Sequence, residues 1–493
     1  MATQSTRLRG TSGELSGLTD RFAAIRAELG IPTGFPREVL TAAEEAARRP
    51  AEPEADLTDL PFVTLDPPGS TDLDQAMLLR RRAGGYHVDY AIADVPAFVD
   101  PSGPVAAEAL RRGQTIYSPD LRTPLHPPVL SEHAASLLPD QSRPAFVWRF
   151  DLDGNGEVER VDLVRALVRS RARLDYDGVQ ALADADPAAR ANGGTEPAAE
   201  PRQVALLLRE IGRLRQDRER ARGGASLRLP EQEVVPAGTG FGLRLRPPVP
   251  AEDWNAQLSL MTGMAAARIM LAGGVGILRT MPPPDSGAVD RFRTQAARLG
   301  VRWPDGASYG ELLRTLDPAD PVHLALLHAA ASLFRGAGYR PVTEPVTGPA
   351  DPGQVHAAVA APYAHVTAPL RRLVDRFGLA ACHALHRGAA AADWVLAGLP
   401  LLPQVMAATD RLAGEVERRC LDAVESASLA GRDGESFAAV VVDVDRDGDG
   451  GHVQLLDPPV LARCAGSLQL GSRVRVRMDG SGDAGVVKFS VQP

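Results

Sequence analysis

Hydrophobic and polar positions along the 493-residue chain fall into successive regimes. Up to about residue 58 the apolar residues recur at helical spacing. Thr19 is placed to cap one helix ending near Gly30, and Pro36 suits the first position of a second helix running to about Arg49. From Phe62 to about Val168 alternation takes over, with a hairpin turn expected at Gly84-Gly85. Residues 181–201 form a low-complexity Ala/Asp/Pro/Gly loop. From about Gln203 to Leu429 the helical period returns, broken by Pro/Gly turns at Met281-Pro-Pro-Pro284 and from Pro341 to Gly353. Beyond it, Phe437–Asp443, Val453–Leu456, Val474–Met478 and Val486–Ser490 read as short strands separated by Gly/Asp turns, the pattern of a small barrel.

These regimes predict an α+β protein in three parts: a small helical module at 1–58, of which a helix-turn-helix is one form, a large mixed domain at 59–430, and a barrel at 431–493. The length itself exceeds what one core usually supports. No apolar run approaches the ~20 residues of a membrane helix, and the polar N-terminus lacks the apolar centre of a signal peptide, so a cytoplasmic protein without membrane attachment is expected. Cys382, Cys420 and Cys464 are too few and too scattered for a disulfide framework or a thiolate metal site.

The net charge of −8 does not exclude nucleic acid, because a strand threaded through a cationic channel feels the local field and not the sum. Lys488 is the only lysine. Nearly all positive charge is therefore guanidinium, suited to bidentate phosphate contact, although the Ala, Gly and Pro content favours compositional bias as the cause.

The densest chemistry lies in Leu60-Pro-Phe-Val-Thr-Leu-Asp-Pro-Pro-Gly-Ser-Thr-Asp-Leu-Asp-Gln-Ala-Met77, where Asp66, Asp72 and Asp74 follow a strand-like run inside a turn. Carboxylates this close repel one another unless a cation sits among them, and oxygen donors without Cys or His suit Mg²⁺ or Mn²⁺ acting on phosphate. A solvated acidic turn fits the same spacing.

Three further segments separate the two readings. Tyr90-Ala-Ile-Ala-Asp-Val-Pro96, Arg112-Gly-Gln-Thr-Ile-Tyr-Ser-Pro-Asp120 with Pro124-Leu-His-Pro-Pro-Val-Leu-Ser131, and Tyr363-Ala-His-Val-Thr-Ala-Pro-Leu-Arg-Arg-Leu-Val-Asp375 follow the acidic block in order. Together the four resemble the signatures of the ribonuclease II family catalytic domain, over about residues 59–430. The resemblance implies an RNB-type catalytic domain, a mixed sheet with surrounding helices, followed by an OB-type barrel of S-one type. It implies a hydrolytic, processive 3′–5′ exoribonuclease that degrades single-stranded RNA to 5′-nucleoside monophosphates, acting as a monomer with two divalent ions. By the same resemblance Asp66, Asp72, Asp74 and Gln75 are the metal-site residues, with Gln75 standing where the family usually has a fourth Asp. Asp74 and Arg371 are the catalytic pair. Tyr117 stacks on the terminal nucleotide, Tyr176 lines the substrate channel, Glu417 meets the terminal ribose, and Arg371 lies beside the RNA; Arg372, grouped with it on the RNA side, is expected to face a structural carboxylate. The neutral Gln75 keeps open a second reading, an RNA-binding relative with impaired chemistry.

In the barrel, a strand from Arg473 to Met478 would place Arg473, Arg475 and Arg477 on one face, as a phosphate-tracking stripe or simply as an exposed surface; Arg475 is its central candidate. Phe437 and Phe489 are too few for a strong base-stacking platform. Asp151-Leu-Asp-Gly-Asn-Gly-Glu157 with Asp162 approximates a calcium loop, but flanking alternation favours a Gly-Asn hairpin. Asp445-Arg-Asp-Gly-Asp-Gly450 is weaker, because Leu456 stands where a bidentate Glu is needed. His383 and His386 lack matching ligands and are expected to be packing or surface residues.

Overall fold

The computed structural model describes residues 12–185, 200–237, 240–346, 348, 350–445, 449–481 and 487–492. Its centre is a six-stranded mixed sheet. Strands β1 (Ala55–Asp56), β2 (Phe62–Leu65), β3 (Gln75–Arg82) and β4 (Gly85–Ala93) are joined by Ser142–Asp153 and the long strand Val158–Leu174. The long strand pairs antiparallel with Ser142–Asp153 through its first part, and parallel with β2 at Ser170 to Leu174. The sheet therefore curls until both edges meet on one strand.

The turn of the β3–β4 hairpin is Ala83-Gly84, one residue earlier than the expected Gly84-Gly85, and Gly84 takes a φ of 78° that is cheap only for glycine. Alternation sorts residues between two layers. Met77, Leu79, Val88, Tyr90, Trp148 and Phe150 face helices Pro201–Ala221, Pro250–Gly273 and Leu373–His386. The first two of these run so close that a Cβ on Gly212 would lie 2.5 Å from that of Trp254. Ala76, Leu78, Ala91 and Val147 face the opposite way, onto Val39 and Ala43 of helix Arg37–Arg48.

Five strands, Ser436–Val444, Gly450–Leu455, Leu461–Ala465, Arg473–Ser481 and Val487–Val491, close into the expected barrel. Arg473, Arg475 and Arg477 are exposed while Val476 and Met478 point inward. Leu461–Ala465 is a strand the pattern did not predict, since only Ala462 and Cys464 are buried along it.

The N-terminal helix runs Ser12–Glu28 and ends at Gly30, φ 68°. Thr19 is inside it and caps nothing, because the stripe Leu18, Phe22 and Ile25 demands an uninterrupted helix around that position. Pro36 is the N-cap of the second helix, one place before the expected first turn. The two helices bury their apolar faces in different cores. Leu18, Phe22 and Ile25 join the barrel and the C-terminal half of helix Leu402–Leu429, whereas Val39 and Ala43 join the sheet. This is not the mutual packing of a helix-turn-helix.

Within the region of helical period, the hairpin Glu231–Ala237/Gly240–Arg246 and the pair Gly276–Thr280/Gly338–Val342 are strands that the periodicity missed. Most of the low-complexity loop lies outside the described residues, as do residues 446–448 of the weaker calcium-like loop. The other calcium-like sequence is a hairpin turn: Asp153 Oδ1 accepts the Asn155 and Glu157 backbone N–H groups, and Asp162 pairs with His386.

Candidate active site

The acidic loop leaves β2 after Leu65 and returns as β3, and its shape is fixed by one buried hydroxyl. Ser136 Oγ donates to the Thr71 carbonyl (2.7 Å) and accepts the Leu73 N–H (2.9 Å). Asp74 is thereby turned inward, 4% exposed, where Oδ1 accepts the Leu370 N–H (2.8 Å) and Oδ2 lies 3.8 Å from Arg371 Nε. Burial drives the Asp74 carboxyl well above its usual range, against the pull of Arg371. Asp66 is pushed up to about 7, by burial first and then by the Asp72 charge, and its Oδ2 has no hydrogen-bond partner. Asp72 pairs with Arg122, which also reaches Glu132 (2.7 Å) and Thr71 Oγ1 (2.8 Å). Arg122 and Glu132 were not singled out by sequence; an arginine five residues past Tyr117 on the return strand of its hairpin was the available signal.

Two adjacent arginines have opposite situations. Arg371 keeps a side chain that is 43% exposed and opens into a cavity of about 1050 Å³. Arg372 is held at 2.9 and 2.8 Å by both oxygens of the fully buried Asp375, the structural carboxylate expected for it, and this ion pair takes the place of the RNA contact with which it was also grouped. Asp375 also accepts the Ala368 N–H (2.7 Å), which shapes the turn presenting Arg371.

Tyr117, half exposed, and Glu417 line the same cavity as Arg371, and the Tyr117 hydroxyl is 3.5 Å from Asp72 Oδ2. Tyr176 is not among the residues lining that cavity; it receives a hydrogen bond from Asn255 (3.2 Å), and burial and then the Asp66 charge push it up to about 12. Arg475 is on the barrel's outer face and not among the residues lining the cavity, to which the barrel contributes Gln454 and Leu461.

Gln75 is committed elsewhere. Its Nε2 donates to the Thr367 carbonyl (2.6 Å), and its Oε1 accepts from Tyr90 Oη (2.6 Å), which itself lies 2.9 Å from Ser259 Oγ. The amide thus bridges the start of β3 to the segment preceding Arg371, and its expected role as a metal-site residue gives way to a structural one. Among the described residues, no three His, Cys, Asp or Glu side chains converge as a preformed cage. A divalent ion still fits the donors present: the orphaned Asp66 oxygen and the mutual repulsion with Asp72 are what a hard cation relieves, and Mg²⁺ needs only one or two carboxylates when water and phosphate complete its shell.

A family model described as the RNB domain matches residues 54–385. The chain belongs to the RNB family. A second model, the RNase II-type exonuclease C-terminal S1 domain, matches residues 435–491, the barrel. Relatives of this RNB protein include Ribonuclease R of Escherichia coli, 28% identical over 70% of this chain and 42% of that protein, and Ribonuclease R of Aquifex aeolicus, 26% identical over 86% and 61%. The chain therefore spans less than two thirds of the length of these curated relatives. The apo form of Mycoplasma genitalium RNase R superposes with a TM-score of 0.81 at 18% identity, covering 96% of this chain and 78% of that one. The family also holds a protein of Arabidopsis thaliana named as an inactive exonuclease (29% identity, 70% of this chain and 34% of that protein), and the yeast Ssd1 pseudonuclease shares the fold at a TM-score of 0.68, with 15% identity over 88% of this chain and 52% of that one.

Proposed function

We propose that this RNB protein is a hydrolytic, processive 3′–5′ exoribonuclease that degrades single-stranded RNA to 5′-nucleoside monophosphates. The observation that carries the reading is the meeting of Asp66, Asp72 and Asp74 with Arg371, whose exposed guanidinium lines the cavity. Asp66, Asp72 and Asp74 hold the divalent ions, Mg²⁺ or Mn²⁺. When bound, such ions supply an activated water and neutralise charge on the leaving oxygen. Arg371 sets a fixed positive charge where the phosphorane develops, at no reorganisation cost during the reaction. Tyr117 stacks on the terminal base, Glu417 accepts from its ribose hydroxyls, and Arg475 attracts the backbone farther out on the barrel.

Incubation of the purified protein with 5′-end-labelled oligo(A) and Mg²⁺ or Mn²⁺ tests the reading: conversion to a short 5′-labelled limit product without accumulating intermediates, together with released 5′-AMP, is expected. The Gln75 bridge favours a second reading, an RNA-binding protein with impaired chemistry, for which tight binding without shortening is the signature.

A further inference from the structure

The two walls of the nucleotide pocket belong to separate elements. Tyr117 sits on the two-stranded hairpin Ile116–Tyr117/Arg122–Thr123, and Glu417 on helix Leu402–Leu429. The N-terminal helix Ser12–Glu28, which lies before the residues matching the RNB model, touches both. On the hairpin side Arg26, 6% exposed, forks onto both carboxylate oxygens of Asp120, with 2.8 Å to Oδ2, and donates to Ser118 Oγ at 2.9 Å. On the other side Glu28 pairs with Arg419, two residues past Glu417. The apolar face repeats the arrangement: Leu18, Phe22 and Ile25 share one buried cluster with Ile116, next to Tyr117, and with Val416 and Cys420, which flank Glu417.

We propose that the N-terminal helix is a brace that sets the separation of Tyr117 and Glu417, with Arg26 as its positioning residue, and so determines how short an RNA the pocket retains. The inference rests on the reading of that pocket given above. A rigid two-sided attachment matters here because the Tyr117 hairpin has only two residues in each strand, too few to hold an exposed aromatic ring in place unaided. The Arg26–Asp120 contact is bidentate and largely buried, the geometry in which a guanidinium fixes orientation as well as charge. Long RNA draws on contacts beyond the pocket, whereas a tetranucleotide depends on the pocket alone.

The test is Arg26→Gln, measured by fluorescence anisotropy against 3′-hydroxyl oligo(A) of 4 and 20 nucleotides, with Ca²⁺ replacing Mg²⁺, and by the length of the limit product. The expected result is a tetranucleotide Kd raised about tenfold, the order of one lost base–aromatic stack, while the 20-mer Kd changes less than threefold. With Mg²⁺ present, KM for short oligonucleotides should rise more than kcat falls. A general loss of stability would lower the melting temperature and weaken both lengths alike, and that result overturns the brace. So does a folded Arg26→Gln with unchanged tetranucleotide affinity and unchanged limit product. If Arg26→Gln does not fold, Arg26→Lys, which keeps the charge and loses the fork, carries the test through the limit product: a longer product supports the brace and an identical one overturns it. Wild-type protein that binds the tetranucleotide without cleaving it sinks the catalytic reading and leaves the brace to stand or fall on the binding data. Wild-type protein that does not bind it removes the pocket, and the brace with it.

Discussion

Asp66→Asn is expected to stabilise the metal-free protein at pH 8, the opposite of what most substitutions of half-buried residues do. The carboxyl moves from 3.8 to about 7 on folding, through burial and the neighbouring Asp72, while one of its oxygens has no hydrogen-bond partner. Between those two values the folded chain keeps a proton that the unfolded chain has lost, so stability falls as pH rises through the window and the loss is complete above about pH 7. At about 1.36 kcal/mol per pH unit the penalty reaches roughly 4 kcal/mol at pH 8, is under ~2 at pH 5, and vanishes near ~3. Water on the open side of the carboxyl screens part of this, leaving about 2 kcal/mol as the expected gain. Asparagine keeps the shape and never ionises. A chain of this size has an unfolding entropy near ~1 kcal/mol/K, so the gain reads as a melting temperature about 2 °C higher.

The assay is thermal or urea unfolding in chelator at pH 8 and pH 5, repeated at pH 8 with Mn²⁺. The difference between variant and wild type should shrink by more than half at pH 5, and Mn²⁺ should stabilise the wild type more than the variant, because a cation among the carboxylates removes the repulsion that the substitution also removes. A less stable Asp66→Asn at pH 8, or equal stabilisation of both proteins by Mn²⁺, would refute the view that this loop holds uncompensated negative charge.

Asp74→Asn should bind RNA within about threefold of wild type and cleave none detectably, as read by parallel anisotropy and gel assays; wild-type turnover would sink the active-site assignment. Tyr117→Ala should lengthen the limit product by a few nucleotides, whereas Arg371→Ala should slow single-turnover cleavage by about 100-fold or more with the same end product, because one acts on position and the other on transition-state charge. Gln75→Asp should lower stability by about 1–3 kcal/mol without raising Mn²⁺ affinity, since it withdraws the donor from the Thr367 carbonyl and sets an acceptor against it; tighter Mn²⁺ binding, by titration calorimetry, would place residue 75 among the ligands after all.

The fold was legible wherever a pattern is local and strongly apolar. Alternation in β3 and β4 identified a hairpin because each face of the sheet meets its own hydrophobic layer, and Gly30 marked a helix end because the chain there needs positive φ. Legibility failed where burial comes from distant partners. Strand Leu461–Ala465 inserts only an alanine and a cysteine into the barrel, too little apolar surface to register as a strand. Phe241 and Leu243 do alternate with Gly242 and Arg244, so the hairpin opposite the N-terminal helix could have been found; the helical period on either side of it masked the signal. Thr19 misled because a capping residue signals a helix start only if no turn precedes it, and the residues before it already form one.

At the site, the sequence identified which residues carry charge and set Arg372 toward a structural carboxylate, but it could not show which of the acids are already engaged. Arg371 and Arg372 are neighbours with the same side chain, yet Arg371 ends a turn whereas Arg372 is the extended N-cap of helix Leu373–His386, and its guanidinium lies within reach of both oxygens of Asp375. What remains for a phosphate is the guanidinium that the structure leaves exposed. The same reasoning separates the acids: Asp72 is answered by Arg122, fifty positions along the chain, while Asp66 has an oxygen without a partner and Asp74, beyond the Leu370 N–H, has only a distant charge pairing with Arg371. A protein selected for stability alone would have given Asp66 and Asp74 full sets of partners, as it has Gln75, whose amide is bonded at both ends. That this loop instead keeps two strained carboxyls beside an exposed arginine is the physical reason to regard it as the site of chemistry rather than as an acidic turn.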